Sequence, residues 1–457
     1  MGIFGALTTA VTGLRAQSFA LENISGNIAN SQTTAFKRVD TSFEDLIPDF
    51  PINKQLAGSV IASSRATNTA QGDIQGASIG TFVAVNGEGF FIVQKPANFV
   101  DNRPVFDGVN LYTRRGDFQL DKSGFLVNGA GYYLMGIPVD SATGNLVGSV
   151  PELLQFQNDL LPAQPTTRIE YRANLASYPL TPASDKNVPQ SELLDPAGFT
   201  VDPTTGGAGT VIGSDVTTFL DESVSGGAIT AFDATGAPVN IQFRWAKTDA
   251  AAYGGTDTWN LFYQVDSNAT GATVAWQNVG TDYMFGANGQ MNPPVSNVTL
   301  TGVTVDGITI GDITLAHGSG GLTQFSDPNG NAQINLLQQN GFAAGELQTI
   351  SVNDKGRVIG TYSNGRTIDL AEITLADFNG ANFLKRLDGG AFAVTDESGP
   401  AIFGASGKIV AGSLEGSNTD IAEEFSKLIV TQQAYSANTR IITTGNQMIQ
   451  ELLNMTR

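Results

Sequence analysis

The chain has 457 residues, enough for about two to four domains. Its 53 glycines and low charged fraction of 15% are typical of strands and turns rather than helical bundles. The net charge of −19 argues against nucleic-acid binding, because contact with phosphates requires clustered lysine and arginine. There is no cysteine, and His317 is the single histidine, which excludes disulfides, thiol nucleophiles and histidine-rich metal sites.

Residues 1–36 carry the apolar period of a long helix. Steps of three and four place apolar side chains along one face. That face holds Phe4, Leu7, Val11, Leu14, Leu21 and Ile28. Arg15 and Glu22 are the only charges, and they cancel. The apolar residues are spaced and no basic residue precedes them, so we expect neither a cleaved secretory signal nor a membrane span.

The middle of the chain predicts β structure. Residues 37–75 lack a sustained period and are expected to form a linker or extended segment. Residues 76–145 and 339–417 contain short alternating runs separated by tight turns, which predicts one middle β domain assembled from both segments. Residues 146–338 lie between them and are expected to form an inserted outer β domain, of one or two subdomains.

Residues 418–457 repeat the helical pattern. The second apolar seam holds Ile421, Phe425, Leu428, Tyr435, Ile442, Ile449 and Leu453. The sequence "SNTD" (417–420) offers N-cap side chains, and two glutamates follow in the first turn, where the helix dipole favours them. Three polar residues share the seam, Gln432, Thr439 and Asn446, and polar residues there commonly fix register.

The two ends are almost uncharged, since residues 37–417 hold −18 of the net charge. An isolated pair of helices in water is expected to carry charges beside its seam, whereas these flanks hold Ala, Thr, Ser, Asn and Gln. Two interpretations stay open: a helical hairpin within one chain, or helices packed among copies. The uncharged flanks favour assembly. A lone copy is then expected to keep its terminal helices largely disordered.

No pattern indicates catalysis, a cofactor or a metal. The acidic stretches "DTSFEDL" and "TDESG" are expected to be solvated turns rather than the paired carboxylates of a glycosidase. The glycine-rich "GEGFF" and "HGSGG" lack the strand and helix that flank a phosphate-binding loop, so His317 is expected at a loop. We therefore predict no catalytic, cofactor-binding or metal-binding residue, and no enzyme.

The stretch "SGNIANSQTTAFKR" (25–38) resembles the asparagine-rich signature that follows the first helix of flagellar axial proteins. Later segments resemble the hook and rod branch and occur in its order: "VNGEGFFIV", "YTRRGDFQLDKSGFLVNGAGYYLMG", "GTYSNG" and "SLEGSNTDIAEEFSKLIVTQQAYSANTRIITTGNQMIQELLN". The signature residues here are Asn27, Asn30, Thr33, Phe36 and Lys37. Their side chains are expected to end the helix and redirect the chain outward. Ala35 stands where relatives often have glycine, so a left-handed backbone there would be strained.

The resemblance implies a mainly β fold with helical N- and C-termini that pair as a coiled-coil inner layer, and with nested, discontinuous β domains outside. The large central insertion is similar to the hook branch rather than to the smaller rod proteins. The implied protein is a structural subunit that polymerises into a curved, flexible tube, a universal joint that carries torque from motor and rod to filament.

The resemblance also implies the partners: further copies of the chain, the hook cap, the distal rod, the hook–filament junction protein and the flagellar type III export apparatus. It implies no nucleic acid and no membrane insertion, and an extracellular location in the flagellum after export without a cleaved signal. Two alternatives stay open. One is a distal rod protein that forms a rigid shaft, and the other is a secreted β-rich adhesin or enzyme.

Overall fold

A computed structural model describes residues 3–46, 58–101, 103–140, 143–156, 160–205, 209–404 and 407–455. Part of the expected linker, residues 47–57, lies outside the described residues. The helices are α1 (Ile3–Ala29), α2 (Val216–Asp221) and α3 (Ile421–Met455). Nearly all other regular structure is strand, so the prediction of a mainly β chain with a helix at each end is confirmed.

The chain divides into two compact units. Unit 1 comprises Met1–Asp159 with Leu347–Arg457, and unit 2 comprises Leu160–Glu346. The finer division into an inner helical domain, a linker, a middle domain and an insertion at 146–338 stays a prediction.

The strands follow the chain in three groups. Up to residue 161 they are β1 (Val39–Leu46), β2 (Ser59–Ala66), β3 (Ile74–Gly76), β4 (Val83–Asn86), β5 (Phe90–Val100), β6 (Arg103–Thr113), β7 (Gln119–Leu120), β8 (Leu126–Val127), β9 (Tyr133–Pro138), β10 (Glu152–Leu153) and β11 (Leu160–Leu161). The next group is β12 (Arg168–Asn174), β13 (Thr210–Ile212), β14 (Val224–Phe232), β15 (Pro238–Asp249), β16 (Asp257–Gln264), β17 (Val274–Phe285), β18 (Asn297–Val305), β19 (Ile308–Ala316), β20 (Leu322–Thr323) and β21 (Gln333–Gln339). The last group is β22 (Gly345–Val352), β23 (Arg357–Tyr362), β24 (Thr367–Glu372), β25 (Leu375–Asp377), β26 (Lys385–Arg386), β27 (Ala391–Ala393), β28 (Ile402–Phe403), β29 (Lys408–Ala411) and β30 (Ser413–Glu415).

Unit 1 is built on an antiparallel sheet in the order β22-β23-β24-β9-β5-β6-β27-β26. Its core includes Phe91, Phe118 and Leu134. Two short pairings, β29 with β4 and β3 with β30, join the segment before α3 to the segment after the first hairpin. That hairpin, β1 with β2, packs against α1, where Asn23 Nδ2 donates a 2.9 Å hydrogen bond to Thr41 Oγ1.

Unit 2 contains two five-stranded sheets. One has the order β18-β19-β12-β20 with β21 also on β12, and the other has the order β13-β17-β16-β15-β14. Every second side chain of β12 is buried, as expected of a half-buried strand: Ile169, Tyr171 and Ala173. These side chains share a core with Trp245 and Tyr283.

His317 follows β19 in a loop, as predicted, but its side chain is fully buried. Its Nδ1 lies 2.9 Å from the carbonyl oxygen of Tyr171 and its Nε2 lies 3.0 Å from the hydroxyl of Tyr283. Nδ1 therefore donates to the carbonyl and Nε2 accepts from the hydroxyl, so the imidazole ring is neutral. Burial lowers the pKa of His317, and the hydrogen bond to Tyr171 opposes that shift. A glycine-rich sequence gives no sign of this burial.

Candidate functional site: the terminal helices and their junction

The helices α1 and α3 run antiparallel in contact with each other. The close pairs are Asn27 with Glu424, Gly13 with Asn438, and Leu7 with Gly445. A Cβ on Gly13 would lie 2.9 Å from Asn438 Nδ2, and one on Gly445 would lie 2.8 Å from Leu7 Cδ2. Glycine therefore permits the short separation of the two helix axes. The sequence distances between pairs nearly match on both helices, so the register stays constant along the contact.

Small side chains, not the predicted seam, form the buried face of α1 within one chain. The buried residues are Ala10, Gly13, Ala16, Ala20, Ile24 and Asn27. Of the predicted seam, Leu7, Leu14, Leu21 and Ile28 are half-buried. Phe4 and Val11 are exposed, Phe4 by 77%. The seam was expected to contact other copies, and that role stays a prediction.

The C-terminal helix, α3, has faces of three kinds. Glu424 and Thr431 are buried, and Leu428, Ile442 and Ile449 of the predicted seam are half-buried on the same side as the α1 contact. The other predicted seam residues are exposed: Ile421, Phe425, Tyr435 and Leu453. Further exposed apolar residues were missed by the sequence analysis: Ile429, Val430, Ile441 and Met448. Val430, Ile441 and Met448 are separated by 11 and 7 residues. Both spacings fit a helical period, so the sequence did carry a signal for this exposed face.

With about 100° between successive residues, the exposed positions of α3 separate into distinct strips. Val430, Ile441 and Met448 form an apolar strip on one side of the α1 contact. In the first three turns of α3, a second apolar strip on the other side holds Ile421, Phe425 and Ile429. Directly opposite α1 lies a polar strip of Ser426, Gln433, Arg440, Thr444 and Glu451, all exposed.

Asn27 joins three elements at the base of the helices. Its Nδ2 donates to the Val39 carbonyl at 3.0 Å and to Glu424 Oε2 at 2.9 Å. Its Oδ1 accepts from the Val39 N–H at 2.9 Å. The end of α1, the start of β1 and the first turn of α3 are therefore held by one buried carboxamide.

The other signature residues lie where the chain leaves α1. Asn30 Nδ2 donates to the Gly26 carbonyl at 2.9 Å, and Thr33 Oγ1 donates to Asn30 Oδ1 at 3.1 Å. The Phe36 ring lies 4.9 Å from the guanidinium carbon of Arg386. Ala35 has φ 55°, the left-handed region, and its N–H donates to the Glu415 carbonyl at 2.8 Å. Alanine there costs about 1 kcal/mol relative to glycine.

Lys37, Glu415 and Arg114 form a buried ion cluster. Lys37 Nζ lies 2.5 Å from Glu415 Oε1, and Arg114 Nη1 lies 3.6 Å from Glu415 Oε2. The three side chains are at most 2% exposed. Burial lowers the pKa of Lys37 and of Arg114, and the charge of Glu415 opposes both shifts.

A second charge network lies at the surface of the same junction. Arg38 Nη1 is 2.8 Å from Glu423 Oε2, and Lys427 Nζ is 2.9 Å from Glu423 Oε1. These hydrogen bonds from Lys427 and Arg38 lower the pKa of Glu423. Asp420 Oδ1 accepts from the N–H groups of Ala422 at 2.8 Å and Glu423 at 3.2 Å, the predicted N-cap of α3.

Within the described ranges, no three acidic or histidine side chains are grouped to hold a metal ion. No described helix has the length and apolar content needed to cross a membrane.

Two family models match parts of the chain. Residues 84–151 match "Flagellar hook protein FlgE/F/G D1 domain", and residues 410–455 match "Flagellar basal body rod FlgEFG protein C-terminal". Flagellar hook protein FlgE of Brucella suis is 28% identical over the full length of both chains, as is that of Caulobacter vibrioides. Flagellar hook protein FlgE of Escherichia coli is 28% identical over 98% of this chain and 100% of its own. The crystal structure of Helicobacter pylori flagellar hook protein FlgE2 aligns with a TM-score of 0.48 at 15% identity, covering 75% of this chain and 100% of that one.

Proposed function

We propose that this chain is a flagellar hook protein, which polymerises into the curved, flexible tube that carries torque from the rod to the filament. It acts as a structural subunit of bacterial motility rather than as an enzyme. The observation that carries the proposal is the division of α3 into two apolar strips and one polar strip.

One neighbouring helix cannot cover α3. Val430 is 65% exposed and Ile441 is 48% exposed, on the side away from Phe425. Burying an aliphatic side chain of this size contributes about 1.5–3 kcal/mol. Since α1 already occupies the face between the two apolar strips, each strip needs a helix from another copy.

The polar strip supports a tube. Gln433, Arg440 and Glu451 lie opposite α1, between the two apolar strips. A helix with apolar neighbours on both sides and polar residues between them fits the wall of a water-filled channel. Repeated head-to-tail contacts that do not close into a ring generate such a helical polymer. On this proposal the two terminal helices pair as a coiled-coil inner layer, with the β domains nested outside.

The acidic outer part supports bending. Unit 2 holds seventeen acidic and five basic side chains, a net charge of −12. Like charges on adjacent copies disfavour tight packing between them, so these contacts can shift while the inner helices hold. The partners on this proposal are other copies, the hook cap, the distal rod, the hook–filament junction protein and the type III export apparatus. The location is the flagellum outside the cell, after export without a cleaved signal.

The decisive experiment places a charge in one apolar strip. Val430→Asp and Ile441→Asp should raise the concentration needed for polymerisation at least about tenfold, because a buried unpaired charge is strongly unfavourable. The melting of the β units should not change, since both side chains are exposed in the lone chain. Gln433→Asp is the matched control in the polar strip and should still form tubes. Normal polymerisation of Val430→Asp and Ile441→Asp would refute the proposed wall.

Electron microscopy of the polymer separates the hook from a rod. A curved tube supports the proposal, whereas a straight and rigid one supports a distal rod protein. An adhesin would keep its function after both terminal helices are removed.

A further inference from the structure

Three sequence motifs that are remote along the chain meet at the buried ion cluster. Lys37 lies in the signature stretch "SGNIANSQTTAFKR", Arg114 lies in "YTRRGDF", and Glu415 lies in "SLEGSN". Lys37 and Glu415 are 378 residues apart in sequence, yet their charged atoms are 2.5 Å apart. The cluster therefore joins the segment leaving α1, the sheet of unit 1 and the segment entering α3.

Each member of the cluster is bound by backbone groups as well. Lys37 Nζ donates to the Ala70 carbonyl at 2.6 Å, and Glu415 Oε1 accepts from the Gly72 N–H at 2.9 Å. Arg114 Nη2 donates to the Gly87 carbonyl at 2.7 Å. Only glycine fits at residue 72, because a Cβ there would collide with the carbonyl oxygen of Gly416.

The segment that leaves α1 and the segment that enters α3 lie side by side at this cluster. The N–H of Ala35 donates to the Glu415 carbonyl at 2.8 Å, and the N–H of Asn418 donates to the Phe36 carbonyl at 3.1 Å. The N–H of Arg38 donates to Asn418 Oδ1 at 2.7 Å. All of these contacts are made within one chain, so they require no second copy.

A buried charge left without its partner is strongly unfavourable, so the cluster resists opening. The two apolar strips of α3, and Phe4 and Val11 of α1, are in contrast exposed in a lone chain. The local stability of the molecule should therefore change abruptly at residues 35 and 418.

We propose that Lys37 and Glu415 are positioning residues that pin the end of α1 and the start of α3 together before assembly. This inference rests on the proposed assembly of α1 and α3. With the end of α1 held next to the start of α3, the two helical segments meet as parts of one molecule at a high effective concentration. Asn27 and Glu424 then set the register, and the pair forms without a search among alternative alignments.

Hydrogen–deuterium exchange on the full-length, unassembled chain tests the proposal. Backbone amides of residues 35–39 and 413–418 should exchange on the order of a hundredfold more slowly than those of residues 5–25 and 430–450. Equal exchange across 5–39 in the unchanged chain would overturn the proposal without any variant.

Lys37→Met tests the role of the charge. It keeps the length of the side chain and removes the contacts to Glu415 and Ala70, so residues 35–39 should lose protection to the level of α1. Residues 408–411 should stay protected, because β29 pairs with β4 independently of Lys37. Arg38→Met is the matched control, since it removes a half-exposed ion pair next to Lys37 and should leave residues 35–39 protected.

Three results decide the outcome. Unchanged protection of residues 35–39 in Lys37→Met would refute the role of the charge. If Lys37→Met unfolds unit 1, Glu415→Gln is used instead, because glutamine keeps the shape of the glutamate side chain. In Glu415→Gln, the protection of residues 35–39 should lie between that of the unchanged chain and that of α1. Unchanged protection of residues 35–39 in Glu415→Gln would also refute the role of the charge. These measurements need no polymer, so a chain that forms no tube would refute the proposed function and leave the pinning intact.

Discussion

The carboxamide of Asn27 donates a 2.9 Å hydrogen bond to the carboxylate of Glu424, and both side chains are buried. This bond joins the last turns of α1 to the first turn of α3. Because the same carboxamide also exchanges two hydrogen bonds with the backbone of Val39, one side chain fixes both the helix register and the exit of the chain.

Asn27→Leu should weaken the tube. It removes the hydrogen bonds of Asn27 to the Val39 amide, the Val39 carbonyl and Glu424 Oε2, and unsatisfied buried polar groups cost about 1–3 kcal/mol each. We expect tubes that dissociate at a lower temperature, measured by light scattering during heating. Asn30→Leu is the control, because Asn30 bonds only to neighbours within four residues. Equal dissociation temperatures for the two variants would contradict the role of Asn27.

Gly445→Leu should prevent the pairing of α1 with α3. A Cβ at residue 445 already approaches Leu7 Cδ2 to 2.8 Å, and a larger side chain would push the helices apart. Overpacking of this kind costs about 1–3 kcal/mol. We expect few or no tubes by electron microscopy. Gly26→Leu is the control, since no atom lies within 4 Å of a Cβ there. Normal tubes from Gly445→Leu would show that the contact with Leu7 is dispensable.

Unit 2 should lose stability in mild acid because of His317. Burial lowers the pKa of His317 in the folded chain, so the unfolded chain takes up the proton first as the pH falls. Stability is therefore fully present above pH about 6.5 and decreases below it, by at most about 1.4 kcal/mol per pH unit for this group. Tyr171 and Tyr283 face the ring, and burial raises the pKa of both, so neither hydroxyl titrates in this range.

Tryptophan fluorescence during urea unfolding at pH 7.5 and pH 5 measures this loss. All three tryptophans, Trp245, Trp259 and Trp276, lie in unit 2, so the signal reports that unit alone. His317→Gln should lose stability at both pH values and show a smaller difference between them. A pH dependence identical to that of the unchanged chain would assign the effect to carboxylates.

Salt should tighten the outer part of the tube. The net charge of −12 on unit 2 opposes contacts between copies, and salt at 1 M screens charges beyond about 3 Å. We expect the tubes to become stiffer between 0.01 M and 1 M sodium chloride, measured as persistence length in electron micrographs. Sucrose at matched osmolality is the control and should leave the stiffness unchanged. Stiffness independent of salt would show that charge repulsion does not govern the outer contacts.

The sequence alone determined the helical ends, an N-cap within residues 417–420 and the predominance of strands. These features depend on residues within one or two turns of each other, so the apolar periods and capping residues can be recognised directly in the sequence. It also revealed the resemblance to flagellar axial proteins, because motifs such as "SGNIANSQTTAFKR" are contiguous. The sequence indicated that a left-handed backbone at Ala35 would be strained, and the structure adopts that backbone nonetheless.

Only the tertiary structure decided which face of α1 is buried within one chain. The strongest apolar period passes through Phe4 and Val11, yet Ala10 and Ala16 are the residues that are buried. Close helix packing selects small side chains, and alanine is too common in helices to mark an interface by itself. The tertiary structure also brought Lys37, Arg114 and Glu415 together and buried His317. Partners hundreds of residues apart leave no local pattern, because their pairing depends on how separate strands are registered in a sheet.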